Sequence, residues 1–245
     1  MDEKTWDQIY SKKKEGLKPF TFDQEVATVF QNMIERSVPG YEMCLQMIAL
    51  ISKTFLQPGE RVYDLGCSLG AGLMAVSKGL KGAPLELIGV DNSASMLEKC
   101  RANLKTHKLT GIALIETDIE TIKLKPCSAV ILNFTLQFLS PEKRNQLIEK
   151  IYRALLPEGI LILSEKIAFS NSETSDILST LHEKFKVAHG YSQLEISQKR
   201  TALEKVLIPE TEKIHLERLS EAGFKQCVPW FQCFNFASYL AIKTP

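Results

Sequence analysis

The stretch RVYDLGCSLG at residues 61–70 decides which fold the sequence predicts. A mostly apolar run comes directly before a turn of small residues, and the following LGAGLMAVSKGL has helical character. Small residues let the backbone turn sharply and approach a ligand closely, and the first turn of a helix offers N–H groups without a partner inside the helix. The pattern therefore predicts a buried strand, a tight turn and a helix, with a ligand-binding edge between them.

The same alternation of short apolar runs and amphipathic stretches continues along the chain. Further strands are predicted at LELIGVD (85–91), IALIETD (112–118), SAVILNF (128–134) and GILILSEK (159–166). Helices are predicted at 93–107, where Ser93 is an N-cap candidate, and at 141–156. Alternating strands and helices predict an α/β fold with a mainly parallel sheet, in which strands are buried on both faces and are continuously apolar.

Helical segments surround this core. Two helices are predicted at 22–37 and 41–55, and a helix and two strands close the chain. We predict one domain over 1–245, with an N-terminal helical region (1–59), a ligand-binding core (60–166), a helical insertion (167–208), and a C-terminal helix and strand pair (209–245).

The composition excludes several classes of protein. The chain has 30 Lys and Arg against 29 Asp and Glu, a formal charge of +1, which disfavours direct nucleic-acid binding. The six cysteines form no C-x-x-C pair and the histidines show no metal-binding spacing, so no metal site is predicted. The sequence shows neither a secretory signal nor a membrane span, and we expect a cytoplasmic protein with reduced thiols.

Two carboxylates end the second and third predicted strands. Asp91 could accept hydrogen bonds from two ribose hydroxyls, and Asp118 would be near an adenine ring over the same edge. Carboxyl ends of adjacent strands meet at one crevice in an open α/β sheet, so the sequence predicts a nucleotide site. NAD is a runner-up ligand, because a dinucleotide fold prefers G-x-G-x-x-G whereas this register has Gly66, Ser68 and Ala71.

The D-x-G-x-S-x-G string of residues 64–70 resembles the first motif of class I S-adenosyl-L-methionine (SAM)-dependent methyltransferases, with Ser68 in place of the usual middle glycine. The closing strands at 224–243 also resemble that fold. The resemblance implies a Rossmann-like class I methyltransferase fold, with a mainly parallel seven-stranded sheet and an antiparallel last strand.

Longer strings are similar to carboxy-S-adenosyl-L-methionine (carboxy-SAM) synthases. They are SVPGY (37–41), VYDLGCSLGA (62–71), LNFTLQFL (132–139), LSEK (163–166), GYSQLEISQKR (190–200) and WFQCFNF (230–236). The similarity extends from about Thr21 to Lys243, and only the first twenty residues diverge.

This resemblance implies a homodimeric transferase that uses SAM as a substrate and prephenate as carboxyl donor. The products would be carboxy-SAM, phenylpyruvate and water, formed by a sulfonium ylide that captures the released carbon dioxide. Carboxy-SAM would supply a separate tRNA carboxymethyltransferase acting on the wobble uridine, so the link to tRNA would pass through a diffusible product.

The resemblance also implies residue roles. Eight residues would hold the adenosyl and methionine parts of SAM: Gly66, Cys67, Ser68, Asp91, Asn92, Asp118, Ile119 and Asn133. Tyr41 would face the sulfonium substituent, and Arg200, reaching across from the other subunit, would pair with the new carboxylate. These two are the predicted catalytic residues.

Physical chemistry supports an arginine in that role. A guanidinium would be unhelpful beside the methyl group of a sulfonium cation, but it can hold a carboxylate by two parallel hydrogen bonds. In isolation, Lys199-Arg200 would be interpreted as a solvated helix face. Four cations are available to prephenate, namely Arg36, Lys166, Lys199 and Arg200. Two alternatives remain open, an ordinary small-molecule methyltransferase and a non-catalytic SAM-binding subunit of an RNA-modifying system.

Overall fold

A central sheet organises the computed structural model, which describes residues 6–81 and 83–244. The strands are β1 (Arg61–Leu65), β2 (Glu86–Asp91), β3 (Ala113–Glu116), β4 (Cys127–Asn133), β5 (Leu155–Ala168), β6 (Glu210–Thr211), β7 (Gln226–Cys233) and β8 (Phe236–Ile242). The helices are α1 (Gln24–Ser37), α2 (Tyr41–Phe55), α3 (Ala71–Gly79), α4 (Ala94–Thr106), α5 (Pro141–Ala154), α6 (Ser172–Ala188), α7 (Gln193–Leu203) and α8 (Glu212–Ala222). A 3-10 turn follows β4 at Leu136–Phe138.

The strands are hydrogen-bonded in the order β3-β2-β1-β4-β5-β8-β7. The first five are parallel, whereas β8 is antiparallel to both β5 and β7. The predicted class I methyltransferase fold, a mainly parallel seven-stranded sheet with an antiparallel last strand, is therefore confirmed. The two-residue β6, which pairs with the end of β5, was not predicted.

Strand register brings the carboxyl ends of the central strands to one edge of the sheet. Leu65 pairs with Val90, Asp91 pairs with Glu116, and Asn133 at the end of β4 pairs with Ser164. The turn after β1 therefore lies beside the ends of β2 and β4, as expected for a ligand crevice in an open α/β sheet.

Both faces of the sheet are buried. Along β4, Val130 and Leu132 pack into one apolar cluster, and Ala129 and Ile131 pack into another on the opposite face. Because side chains of a strand alternate between faces, this continuous apolar run needs helices on both sides, which explains why β4 has no polar face.

Several predicted boundaries differ from the structure, and the strand predicted at 159–166 extends over 155–168. The helix predicted at 141–156 ends at Ala154, and Leu155 already belongs to β5, where it pairs with Cys127. β3 ends at Glu116, so Asp118 lies two residues beyond the strand instead of at its end. Ser93 caps α4 as predicted, because its side chain accepts a hydrogen bond from the Met96 N–H.

Over the residues that the structure describes, no helix combines the length and the apolarity needed to cross a membrane.

Candidate active site

A cavity of about 2080 Å³ opens at the carboxyl edge of the sheet. Its wall contains all ten predicted site residues: Tyr41, Gly66, Cys67, Ser68, Asp91, Asn92, Asp118, Ile119, Asn133 and Arg200. Typical small-molecule pockets measure roughly 300–1,000 Å³, so this cavity has room for two ligands side by side.

The turn after β1 has an unusual backbone. Gly66 and Gly70 have positive φ angles of 79° and 84°, which glycine adopts readily. Ser68 has a φ of 49°, a left-handed conformation that is uncommon for residues other than glycine. A Cβ atom on Gly66 would lie 2.4 Å from the Thr135 side chain, so a residue with a side chain would not fit at this position. The turn is thus compact and lies close against the loop after β4.

Asp91 holds this turn in place. Its Oδ2 accepts a 2.9 Å hydrogen bond from the Ser68 N–H, and its Oδ1 accepts one of 2.9 Å from the Ser93 N–H. Burial raises the pKa of Asp91, while these backbone donors act in the opposite direction. Because an ionised carboxylate has about four acceptor positions, Asp91 can also accept bonds from two hydroxyl groups of a ligand.

Asn92 and Asp118 form a second polar contact at the cavity edge. The side-chain amide of Asn92 donates a 2.9 Å hydrogen bond to Oδ1 of Asp118. This bond links the end of β2 to the segment after β3, where Ile119 is buried. The result is a polar rim beside an apolar side chain, a combination suited to the edge and face of a purine ring.

Asn133 offers an unused acceptor at the end of β4. Its Oδ1 atom is buried and, among the described residues, has no hydrogen-bond partner. Since buried polar atoms are nearly always paired, this orphaned oxygen fits a ligand donor such as an ammonium group. The chemistry of the donor set therefore fits an amino-acid nucleoside.

An aromatic row, defined as Tyr41, Phe134, Phe236 and His182, crosses the cavity wall. Neighbouring ring centroids in this order are 6.3 Å, 5.9 Å and 5.0 Å apart. Tyr41 is the first residue of α2, and the break at Gly40 before it has a positive φ of 75°. Burial and the nearby Asp64 carboxylate raise the pKa of Tyr41, so the phenol stays protonated near neutral pH.

Arg200 lies on α7 in the cavity wall. Its side chain is 62% exposed and its guanidinium is 3.3 Å from the carboxylate of Glu183 on α6. Arg200 lines the cavity of its own chain in this structure. Whether it also serves the cavity of a second subunit stays a prediction.

Comparison with known proteins identifies the family. A family model described as a methyltransferase domain matches residues 62–159, which run from β1 into β5. The carboxy-SAM synthase of Photobacterium profundum is 48% identical over 238 residues, covering 97% of this chain and 98% of that protein. The carboxy-SAM synthase of an Enterobacter species is also 48% identical and covers 97% of both chains. The chain belongs to the carboxy-SAM synthase family.

Solved structures agree on the fold. Human N-acetylserotonin methyltransferase, crystallised in complex with SAM, superposes with a TM-score of 0.63 at 17% identity. The match covers 91% of this chain and 56% of the human one. Together with the family membership, the methyltransferase domain makes this chain an enzyme of the transferase class.

One of the four cations that the sequence offered lies outside the cavity. Arg36 is not in the cavity wall of this carboxy-SAM synthase family member. Its guanidinium lies 3.9 Å from the Trp6 ring and 3.7 Å from the Tyr191 ring, and it donates to the backbone carbonyls of His189 and Asp7. The charge of Arg36 therefore stabilises the packing of the N-terminal segment instead of meeting a ligand.

Lys166 and Lys199 do line the cavity, but Lys199 is already paired. Its ammonium lies 3.7 Å from the Asp7 carboxylate and donates a 2.9 Å hydrogen bond to Ser37. Burial lowers the pKa of Lys199 to about 8.

The N-terminal segment, residues 6–20, packs on α7. The Lys14 N–H donates to Gln198, whose side-chain amide donates to the carbonyls of Tyr10 and Lys12. Of the residues described, the first in the chain to line the cavity is Phe22, so residues 6–20 support α7 and do not cover the site.

The cavity residues that were not predicted as site residues include Asp64, His182 and Lys186. Asp64 is buried and accepts a hydrogen bond from the Leu73 N–H, and burial together with Asp91 raises its pKa to about 7. Asp64 could have been predicted from the sequence, because it is the first residue of the D-x-G-x-S-x-G motif at the end of β1. His182 and Lys186 on α6 had no such signal, because one helix in isolation does not tell which face covers a cavity. No cluster of His, Cys, Asp or Glu able to hold a metal occurs in the part of the chain that the structure describes.

Proposed function

We propose that this chain is a carboxy-SAM synthase, which converts SAM and prephenate to carboxy-SAM, phenylpyruvate and water. The observation that carries the proposal is the coexistence, in one cavity with room for two ligands, of a nucleotide-type strand edge and the guanidinium of Arg200. The 48% identity to carboxy-SAM synthases over nearly the whole chain supports the same reaction.

SAM is the proposed substrate at the strand edge. Asp91 would accept the ribose hydroxyls, since both its oxygens are already fixed by backbone donors. Asn92, Asp118 and Ile119 would contact the adenine. Asn133 would accept a hydrogen bond from the methionine ammonium, because its buried oxygen lacks another partner.

The turn residues Gly66, Cys67 and Ser68 would contact the methionine and ribose side of SAM. Cys67 is buried, and its pKa is raised by its contact with Cys100 and by burial, so the thiol stays protonated and contributes shape rather than a nucleophile.

Tyr41 and Arg200 are the proposed catalytic residues. In the overall reaction, prephenate loses its ring carboxylate as carbon dioxide, and the electrons of the broken bond expel the ring hydroxyl as hydroxide while the ring becomes aromatic. The SAM methyl carbon, after losing a proton, forms the new carbon–carbon bond to that carbon dioxide. The proton lost from that methyl group and the departing hydroxide together make water. Tyr41 would contact the sulfonium substituent, and Arg200 would hold the carboxylate on both sides of the transfer.

Such a transfer needs both substrates to be held together away from water. The aromatic row supplies an apolar wall where the proposed transfer takes place, since its four rings lie edge to face or tilted against one another. An ordinary methyltransferase would have no use for a guanidinium at this place, which favours the carboxyl-handling enzyme over that alternative.

Homodimerisation, a cytoplasmic location and the supply of carboxy-SAM to a tRNA-modifying carboxymethyltransferase are parts of the same proposal. The net charge of +1 supports a link to tRNA through the diffusible product and not through direct contact.

The test is to incubate the purified protein with SAM and prephenate and to follow phenylpyruvate by absorbance and the nucleoside product by mass spectrometry. A prephenate-dependent SAM derivative heavier by one carboxyl group is expected. Conversion of SAM without prephenate, or no conversion at all, would overturn the proposal in favour of a methyltransferase or a non-catalytic subunit respectively.

A further inference from the structure

Three cations converge on one part of the cavity wall. Lys166 lies near the end of β5, Lys186 lies in the last turn of α6, and Arg200 lies on α7. All three line the cavity, and each interacts electrostatically with the other two. We call these three residues the cation cluster.

The cation cluster carries more positive charge than its neighbours neutralise. Arg200 has Glu183 as an ion-pair partner at 3.3 Å. The ammonium groups of Lys166 and Lys186 form neither a hydrogen bond nor an ion pair with any residue in the ranges 6–81 and 83–244. Glu183 also favours the charged form of Lys186. One carboxylate against three cations leaves two net positive charges in the wall, which an anion of two negative charges would match.

The environment makes these charges costly without a ligand. Burial, with Arg200 nearby, lowers the pKa of Lys166. Burial, with Lys166 and Arg200 nearby, lowers the pKa of Lys186 to about 8. Because desolvation and like charges both disfavour the protonated ammonium, a bound carboxylate would relieve both effects.

The aromatic row connects the cation cluster to the proposed site of SAM. Lys166 pairs across the sheet with Phe236, and the ring of Phe236 lies 5.0 Å from His182. His182 lies one helical turn before Lys186 on α6. The opposite end of the row is Tyr41, so a ligand lying along it would reach from the cation cluster to Tyr41.

His182 itself adds no charge to this region. Its Nε2 atom lies 2.8 Å from the carbonyl oxygen of Ser37, which can only accept, so Nε2 carries the proton and donates. Burial lowers the pKa of His182 to about 3, and the ring stays neutral. The positive charge is therefore confined to the cation cluster.

We propose that Lys166 and Lys186 form the subsite for the carboxylate that the second substrate keeps, while Arg200 holds the carboxylate that is transferred. The inference rests on the proposed function and adds to it the residues that hold the second carboxylate of prephenate. Lys199, which has Asp7 as its partner, and Arg36 take no part.

The test compares Lys186→Met and Lys166→Met with Lys184→Met. Lys184 is exposed on the same helix and does not line the cavity, so it is a matched control for loss of one positive charge. In each Lys186 or Lys166 variant, the KM for prephenate should rise about tenfold or more, which corresponds to ~1.4 kcal/mol. The KM for SAM and the affinity for S-adenosylhomocysteine should change less than about twofold, because those contacts lie at the strand edge.

A KM for prephenate that stays within twofold of wild type in both variants, with wild-type carboxy-SAM formation intact, would overturn the subsite and leave the proposed function standing. Equal loss of prephenate and S-adenosylhomocysteine binding would also overturn it, since the lysines would then be structural.

If the wild-type protein forms no carboxy-SAM, the proposed function is the one that fails. Calorimetric titration of prephenate into the S-adenosylhomocysteine complex then decides the subsite. Binding that Lys186→Met weakens and Lys184→Met does not would support it, whereas absent binding or binding unaffected by Lys186→Met would overturn it.

Discussion

The backbone N–H of Ser68 donates a 2.9 Å hydrogen bond to Oδ2 of Asp91, which ties the turn after β1 to the end of β2. The other carboxylate oxygen of Asp91 accepts from the Ser93 N–H at the start of α4. One carboxylate therefore fixes the first turn of the motif and the N-terminus of the next helix, in addition to any ligand that it binds. Replacing Asp91 should therefore disturb the backbone of this turn and of the helix start as well as a ribose contact.

Asp91→Ala should weaken S-adenosylhomocysteine binding about 30-fold or more, equivalent to ~2 kcal/mol, because it removes the ligand acceptors and both backbone contacts. Asp91→Asn should fall between wild type and alanine, since an amide has one oxygen and can keep only one of the two backbone bonds. Isothermal titration calorimetry measures both. Glu98→Ala, an exposed change on α4, is the control and should bind like wild type; equal affinities for all four proteins would contradict the assignment of Asp91.

Asp64 should make stability depend on pH. Its pKa is raised from 3.8 to about 7 in the folded chain, so folding takes up a proton between these values. The free energy of unfolding therefore falls as pH rises through this window. Above pH 7 the full loss of stability has been reached. Asp64→Asn should gain stability over wild type at both pH 5 and pH 8, and the gain should be larger at pH 8 by about 3 kcal/mol.

Urea denaturation of the unliganded proteins at pH 5 and pH 8 measures this effect. Glu98→Gln, which neutralises an exposed carboxylate on α4, serves as control and should show no such difference. A stability gain for Asp64→Asn that is the same at both pH values would mean that Asp64 is already ionised at pH 5.

The sequence was sufficient for features that depend on local pattern. Continuous apolar runs such as 128–134 predict strands buried on both faces, and Asp91 is placed at the ligand edge because parallel strands end together. The boundary between α5 and β5 could not be placed in this way. Leu155 fits a helix end by type, but its pairing with Cys127 on β4 overrides that local preference.

Residue roles that depend on tertiary contacts were the least predictable. Arg36 was an available cation by type, yet Trp6 and Tyr191, far away in sequence, enclose it. Lys186 was not singled out, because only the packing of α6 over the cavity distinguishes it from exposed Lys184. The side chain of a helix-borne lysine becomes a candidate ligand contact only when the surface that it faces is known.

Arg200→Leu should abolish carboxy-SAM formation while changing S-adenosylhomocysteine affinity less than about threefold, because the guanidinium has no partner in a ligand that lacks the carboxylate. Arg153→Leu is a matched control, since Arg153 also forms an exposed ion pair with a glutamate, Glu149 at 3.1 Å, but lies on α5 outside the cavity wall. Mass spectrometry of the product and calorimetry give the two readouts. Parallel loss of activity and S-adenosylhomocysteine binding would instead make Arg200 a structural residue of α7.

Mixing variants tests whether Arg200 serves the other subunit of the proposed dimer. Arg200 is largely exposed and held by a single ion pair to Glu183, so its side chain is free to reach a neighbouring cavity. If it does so, a dimer of one Arg200→Leu and one Asp91→Ala chain has one site with both defects and one with neither. Random re-association of equal amounts should then restore about one quarter of the wild-type activity, because half the dimers are mixed and each has one intact site.

If Arg200 acts only in the cavity of its own chain, each site of a mixed dimer contains one defect and the mixture stays inactive. Native mass spectrometry of chains with different tags must show that mixed dimers form. Inactivity of the mixture then means that Arg200 acts in the cavity of its own chain. Mixing the Asp91→Ala chain with itself under the same protocol gives the background. Recovery above that background requires Arg200 and Asp91 of one working site to come from different chains, since neither variant chain contains both residues.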